Sequence, residues 1–492
     1  MTASSKLRGS IQWVFAGNVV GKILEFAFGV ALARLLVPAD FGMVVTIQIF
    51  TGVVGLVAGG GLGQALVQAK VLKEKDFNVV FTWQLLISVL IFLSFYLIAP
   101  YFAVWFEDPL YAPLLQVSAF TFLLRPFINT MQAKLGREMR FQEAVYIGTV
   151  RMLCVGVVSV MMALTGFGVW SLVLSGLCGG VLNMAMLYWR TRLRLGICFE
   201  KDAAKRLGAY GVRLSGCDIL NHIRDRLPGL FVSKALGASA LGIYNKADSL
   251  AFLPMGIIGT SAFYPVFRAA AEEQDNLDKV KYIYYRAICL VSVYTLPFYV
   301  GLWWVAESFV VNVYGTQWTF VVTPLMIFVL TGPLNCVGNP SAAVTRGMGC
   351  VGQEFRILLE TITLLVVACL IGVKWGIEGI AWASISALVY HSFRMINLAL
   401  GAIQGRLFIC IRQLIPAAIL NSTLFVVLFL TDYILNVNGI VDSSWLYMFI
   451  MVIIGGGIYG VMFLFFPVKA LATESQKWRV KLKLASPMPI NN

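Results

Sequence analysis

The chain has 492 residues, of which 59% are hydrophobic and only 13% charged, with 38 Lys and Arg against 24 Asp and Glu. That charged share is about half of what soluble domains carry, and with a mean hydropathy of +0.82 it excludes a soluble enzyme, a secreted disulfide domain and a disordered chain. A spanning helix takes about 20 apolar residues, so the hydrophobic content suffices for about 14 spans. The apolar runs are long and continuous, as over 85–98 and 446–466, which excludes the alternating segments of an outer-membrane barrel.

Taken in chain order, apolar windows predict spans at 11–36, 41–66, 78–105, 113–133, 143–164, 167–189, 207–233, 240–265, 287–306, 317–340, 357–373, 377–403, 413–432 and 443–466. The first ten residues lead straight into the first window and predict no cleaved signal peptide. Alternate connections carry the basic residues: Lys6 and Arg8, then Lys70, Lys73 and Lys75, then Lys134, Arg137 and Arg140, and so on to the tail with Lys477 and Arg479. The other connections hold only Lys234 and Lys374. By the positive-inside rule both termini are predicted cytoplasmic, and the net charge of +14 follows the membrane rather than a nucleic acid. The outer connections are short, as at 37–40, 165–166 and 234–239, which leaves no large outer loop for catalytic residues.

None of the nine cysteines stands in a CxxC pair, and most fall within apolar runs, where they read as small buried hydrophobes. Two histidines, His222 and His391, are too few and too far apart to suggest a metal cluster. No catalytic residue, metal or cofactor is predicted.

The first and seventh spans end alike. Ala33-Arg34-Leu35-Leu36, followed by Phe41-Gly42, is matched 200 positions later by Ser233-Lys234-Ala235-Leu236, followed by Leu241-Gly242. The turn Gly166-Phe167-Gly168-Val169-Trp170 is matched by Gly376 through Trp382. Six spans separate the copies, so they predict parallel repeats about an axis along the membrane normal, a transporter architecture. The resulting plan is a six-helix bundle over 1–195, a second over 196–404, an extra helix pair over 405–466 and a basic cytoplasmic tail over 467–492.

A charge at the bilayer centre costs about 2.5–3.5 kcal/mol on insertion scales, so such residues should face a cavity or a partner. On the first span Asn18, Lys22 and Glu25 lie within about 60° of arc as one polar stripe; the i,i+3 spacing of Lys22 and Glu25 equally fits an ion pair that locks packing. The seventh span holds Arg213, Asp218, Asn221, His222, Arg224, Asp225 and Arg226 around more than half of its circumference, and Pro228 predicts a kink. That helix borders either water and a polar ligand or an interhelical salt-bridge network. Further intramembrane charges are Arg125, Arg151, Lys246, Asp248, Glu360 and Arg394. Cations outnumber acids, which suits an anionic substrate, and Arg matches phosphate bidentately. The candidate substrate-binding residues are Lys22, Arg151, Arg213, Asn221, Arg224, Arg226, Lys246 and Arg394. Glu25, Asp218, Asp225 and Asp248 are candidates for ion coupling, or for plain charge compensation. Trp13, Trp83, Tyr210, Tyr244 and Trp382 are either platforms for sugar rings or belt and core residues.

Several segments resemble the polysaccharide-type flippases, the O-antigen, colanic acid and teichuronic acid branch of the multidrug/oligosaccharidyl-lipid/polysaccharide exporter superfamily. They include 33–42, Gly61-Leu62-Gly63-Gln64-Ala65-Leu66, Gly136-Arg137-Glu138-Met139-Arg140-Phe141, Ala262-Phe263-Tyr264-Pro265, Tyr314-Gly315-Thr316-Gln317-Trp318 and Gly338-Asn339-Pro340. The resemblance implies two six-helix bundles facing each other around a central cavity, in a bacterial cytoplasmic membrane. It also implies a lipid-diphosphate-linked oligosaccharide as substrate, carried by alternating access, with membrane lipids and a glycan polymerase or export machinery as partners. A cation-coupled drug antiporter on the same fold, which should have an acid-rich cavity, is the alternative. A glycan polymerase or ligase, which needs a large outer loop, and a non-transporting scaffold are further ones.

Overall fold

The computed structural model describes the backbone of residues 3–59, 66, 74–440, 444–466 and 469–485, and within these all side chains except 3–16, 18, 19, 57–59, 74, 201–215, 260 and 469. The described elements are helices: α1 (Ala3–Leu35), α2 (Pro38–Gly59), α3 (Glu74–Phe106), α4 (Tyr111–Arg137), α5 (Phe141–Leu164) and α6 (Trp170–Thr191). The stretch Lys201–Glu272 is interrupted at Gly237, whose φ of 86° and ψ of 177° lie in a region that only glycine enters readily. It therefore makes two helices, α7 (201–236) and α8 (238–272). The chain runs helically through Pro228, and the break falls at Gly237, within the connection expected over 234–239.

After these come α9 (Leu277–Phe309), a π turn (Val310–Tyr314), a 3₁₀ turn (Thr316–Val321), α10 (Val322–Val329) and α11 (Thr331–Gly347). The last helices are α12 (Val351–Gly372), α13 (Gly376–Ile403), α14 (Leu407–Val437), α15 (Trp445–Phe465) and α16 (Ala472–Lys481). Among the described residues each apolar window falls mainly on helix. Among the same residues ten helical segments are long and apolar enough to cross a membrane, or eleven if the pair bent by 49° at Leu330 is one span. This is fewer than the fourteen windows, because Gly216–Gly259 and Val351–Ile403 each join two helices and α1 is not among the ten. The chain is a multi-pass membrane protein. Its lipid-facing surface is visible on α3, where Leu90, Leu97, Tyr101 and Val104 are all more than half exposed, an apolar face far too large for a soluble monomer.

The chain divides into two compact units, 1–242 and 243–492. In the first, α3 packs on α4, α4 on α6, and α5 on both α1 and α6. Ile47, Phe102, Tyr111, Leu114 and Leu115 join α2, α3 and α4 in one core, and Phe50 meets Phe102 edge-on with ring centroids 5.0 Å apart. The two copies of the repeated turn touch within this unit. A Cβ on Gly42 would collide with the carbonyl oxygen of Ala238, and one on Gly242 with that of Pro38. Positions 38 and 42 thus exchange contacts with positions 238 and 242, so glycine stands at both because each backbone abuts the other. Beside them Thr46 Oγ1 and Ser233 Oγ share a buried hydrogen bond of 2.6 Å. Lys234 Nζ donates to the carbonyl of Trp105 at 2.6 Å and pairs with Glu107 at 3.2 Å.

In the second unit, α9 is the central helix, packing on α11 and α14. Tyr284, Val344 and Leu400 form its core near one end, and Leu424, Leu428, Tyr447 and Met451 bind the last two long helices to the other. Arg346 reaches Glu354 bidentately, at 3.0 and 3.1 Å from Nε and 2.7 Å from Nη2. That carboxylate is 3% exposed. Within 467–492, α16 docks rather than floating free: Ser475 Oγ donates to the Leu464 carbonyl and Trp478 Nε1 to Tyr294 Oη, both at 2.8 Å.

Gly42→Leu is expected to destabilise the chain by about 1–3 kcal/mol, as overpacking does. Gly29→Ala, whose Cβ meets nothing within 4 Å, should be neutral or slightly stabilising. Melting temperatures of the two variants in detergent check this.

Candidate functional site

Helix α2 carries Gly52 and Gly55, three residues apart and so on one face, about 4.5 Å along the axis. Each seats a side chain from another helix. A Cβ at Gly52 would lie 2.6 Å from His222 Nε2 of α7, and one at Gly55 would collide with the guanidinium of Arg125 of α4. The His222 Nε2 atom is buried without a hydrogen-bond partner. The Arg125 guanidinium lies 4.9 Å from the centre of the Phe122 ring, and among the described residues it makes no ion pair. Arg226 follows His222 by one turn on α7 and likewise has no ion pair among the described residues. Without the two glycines the helices could not approach closely enough to hold an imidazole and a guanidinium against backbone.

The residues singled out by sequence are placed as follows. Lys22 Nζ meets Glu25 at 2.6 Å with both side chains more than half exposed, so these two form the i,i+3 pair. Arg224 binds Asp225 Oδ1 at 2.8 and 3.0 Å, with side-chain exposures of 21% and 59%. Asn221 Nδ2 donates to the Cys217 carbonyl of its own helix at 2.9 Å. Asp218 and Asp248 each have interaction partners, and Arg213 lies outside the described side chains. Arg151 is exposed and lines a cavity between α4, α5 and α6.

In the second unit Lys246 lies over two rings, 4.6 Å from the centre of Tyr314 and 5.1 Å from that of Trp318. Both rings are buried, and a cation over an aromatic face is attracted by its quadrupole. Arg394 Nη1 meets Glu360 Oε2 at 2.7 Å, and Tyr390 bridges them, donating its hydroxyl to Glu360 at 2.7 Å and accepting from Arg394 at 2.9 Å. His391 Nδ1 lies 3.3 Å from Thr361 Oγ1. Of the aromatic candidates, Tyr244 is core: its hydroxyl shares a 2.9 Å hydrogen bond with Ser384 and its ring meets Phe328 edge-on. Trp382 is exposed, the Trp83 Nε1 is buried, and the side chains of Trp13 and Tyr210 lie outside the described set. Among the described residues no three His, Cys, Asp or Glu side chains gather to hold a metal.

Sequence reasoning named Arg125 and His222 only as intramembrane polar residues and left them out of the site. The signal available was the Gly52–Gly55 spacing on a span. The ring pair under Lys246 was visible only as the spacing of Tyr314 and Trp318.

A family described as polysaccharide biosynthesis protein matches residues 31–323. The lipopolysaccharide biosynthesis protein WzxC of Escherichia coli (strain K12) is 22% identical over 76% of each chain. The succinoglycan biosynthesis transport protein ExoT of Rhizobium meliloti (strain 1021) is 23% identical over 90% of this chain and 89% of its own. Among solved structures, the lipid II flippase MurJ in an inward closed conformation superposes with a TM-score of 0.77 at 15% identity, covering 95% of this chain and 99% of that one. An inward-facing multidrug resistance MATE family transporter of the MOP superfamily gives 0.59 at 16% identity, over 77% and 95%.

If the Arg394–Glu360 pair is charge compensation, Arg394→Gln alone should lower stability by leaving a carboxylate uncompensated. Adding Glu360→Gln to the same chain should then restore most of the loss. A double-mutant cycle on detergent melting temperature measures that coupling.

Proposed function

This chain belongs to the polysaccharide biosynthesis protein family, and we propose that it translocates a lipid-diphosphate-linked oligosaccharide across a bacterial cytoplasmic membrane, for cell-surface polysaccharide export. Multi-pass architecture and the transporters among its relatives are the premises. The observation that carries the reading is the cationic face on α2, where Arg125 sits on Gly55 beside His222 on Gly52, with Arg226 one turn along. Unneutralised cations at membrane depth call for an anionic ligand. A diphosphate supplies two phosphoryl groups whose oxygens match the guanidinium fork.

Arg213 and Arg224 of α7 are proposed as further substrate cations, and Lys22, Asn221, Lys246 and Arg394 as further substrate contacts. The Lys22 and Arg224 carboxylate partners, Glu25 and Asp225, hold these cations in place until phosphate displaces them, and Asp218 and Asp248 are proposed with them for ion coupling. The lipid chain has a natural surface in the second unit: α9, α14 and α15 line an apolar cavity of about 550 Å³, with Pro297, Leu424, Val452 and Phe463 among its walls. Transport proceeds by alternating access: the cations capture the diphosphate from the cytoplasmic leaflet and release it to the other side. No bond in the substrate is made or broken. A polymerase or export complex outside the membrane then consumes the product.

Reconstituted protein is given a fluorescent lipid-diphosphate-oligosaccharide, and its movement between leaflets is followed with and without a proton or sodium gradient. Losing one charge-assisted hydrogen bond costs about 1.5–3 kcal/mol. Arg125→Ala, Arg213→Ala and Arg224→Ala should therefore each slow translocation about tenfold or more at unchanged abundance. Consumption or elongation of the lipid without movement would show an enzyme instead.

A further inference from the structure

Between α4, α5 and α6 lies a cavity of about 260 Å³. Each helix contributes one polar side chain to it: Gln132 from α4, Arg151 from α5 and Asn183 from α6. Its floor is the packed cluster of Leu135, Ile147 and Leu187. Asn183 is 8% exposed as a residue, while Gln132 and Arg151 are exposed. Among the described residues, none of these three polar side chains has a hydrogen-bond or ion-pair partner, so their N–H donors are open to a ligand. Glycines shape the site. At Gly179 of α6 a Cβ would collide with the Val155 side chain of α5 and stand at an ordinary 3.6 Å from Arg151 Cγ, while at Gly148 a Cβ would meet nothing within 4 Å. The volume is far more than one water's share of about 30 Å³.

We propose that this cavity is a binding site for a phosphate group, separate from the cationic face on α2. The donor set is the reason. A guanidinium offers a planar fork of N–H groups, two carboxamides add neutral donors, and no carboxylate lines the cavity to repel an anion. The cavity opens toward the connection between α4 and α5, since Gly136 and Phe141 form its rim. At that rim Arg140 is held to Glu143 and Glu138 at 2.7 and 2.8 Å, so the rim cations are already neutralised and Arg151 supplies the charge. The loop charges place this end in the cytoplasm. Two sources present the same group there: the headgroup of an anionic phospholipid in the inner leaflet and a soluble phosphate. The inference concerns the first unit alone and does not depend on what the chain transports.

The test uses the full chain in an uncharged detergent at constant ionic strength, titrated with inorganic phosphate, with short-chain phosphatidylglycerol and with short-chain phosphatidylcholine. A saturable rise in melting temperature is expected with phosphatidylglycerol or phosphate and not with phosphatidylcholine. A rise with phosphatidylglycerol alone assigns a lipid headgroup, and a rise with phosphate as well assigns a soluble ligand. Arg151→Gln should weaken that binding about tenfold or more. Gly148→Leu grows into open space and should block binding while the unliganded melting temperature is kept, which separates a filled site from a damaged fold. No saturable rise with either phosphate-bearing probe, or undiminished affinity in either variant, overturns the proposal.

Discussion

The dominant constraint on this molecule is the expense of a charge in hydrocarbon. Each intramembrane ion must be accommodated, about 2.5–3.5 kcal/mol being at stake for each one at the bilayer centre. Three solutions recur. Lys22 with Glu25, Arg224 with Asp225 and Arg394 with Glu360 are neutralised by local carboxylates. Lys246 is placed over the rings of Tyr314 and Trp318. Arg125 is set against a bare stretch of backbone at Gly55 and against the Phe122 ring. Among the described residues the last solution leaves Arg125 without an ion pair, and the proposed anionic substrate rests on that.

Glycine does the positioning. In a helix that crosses hydrocarbon, association cannot rely on apolar burial, because lipid tails are as apolar as leucine, so small residues at contacts let backbones close up. Gly42 and Gly242 admit each other's repeat, Gly52 and Gly55 admit an imidazole and a guanidinium, and Gly179 admits the Val155 side chain. A glycine at Gly237 lets the chain leave α7 and enter α8 without a loop. Steric room, then, decides where the polar groups sit, and the charges take the places the glycines leave open.

The two polar sites of the first unit differ in kind. The face on α2 is built from side chains that reach across to another helix's backbone, and it gains its character from an excess of cations. The cavity among α4, α5 and α6 is built from one donor per helix over a closed apolar floor. Arg151, one more intramembrane cation on a helical wheel, lines that second cavity.

Much of this was legible in the chain itself. Hydropathy located the helices, because a helix must satisfy its own backbone in lipid and so requires continuous apolar runs. The spacing of Ala33–Gly42 and Ser233–Gly242 marked a sequence repeat, and the i,i+3 spacing of Lys22 and Glu25 offered their pairing as one of two readings, since i,i+3 neighbours share a face. What the tertiary structure alone decided is which distant residues meet: Arg125 with Gly55, His222 with Gly52, Lys246 with the Tyr314 and Trp318 rings, and Gln132 with Arg151 and Asn183. It also fixed the break between α7 and α8 at Gly237, inside the connection expected over 234–239. The physical reason is the range of the information. Periodicity and local spacing act within a few turns of one helix, whereas a contact between helices depends on rotation and depth, and these are set by packing against every neighbour at once.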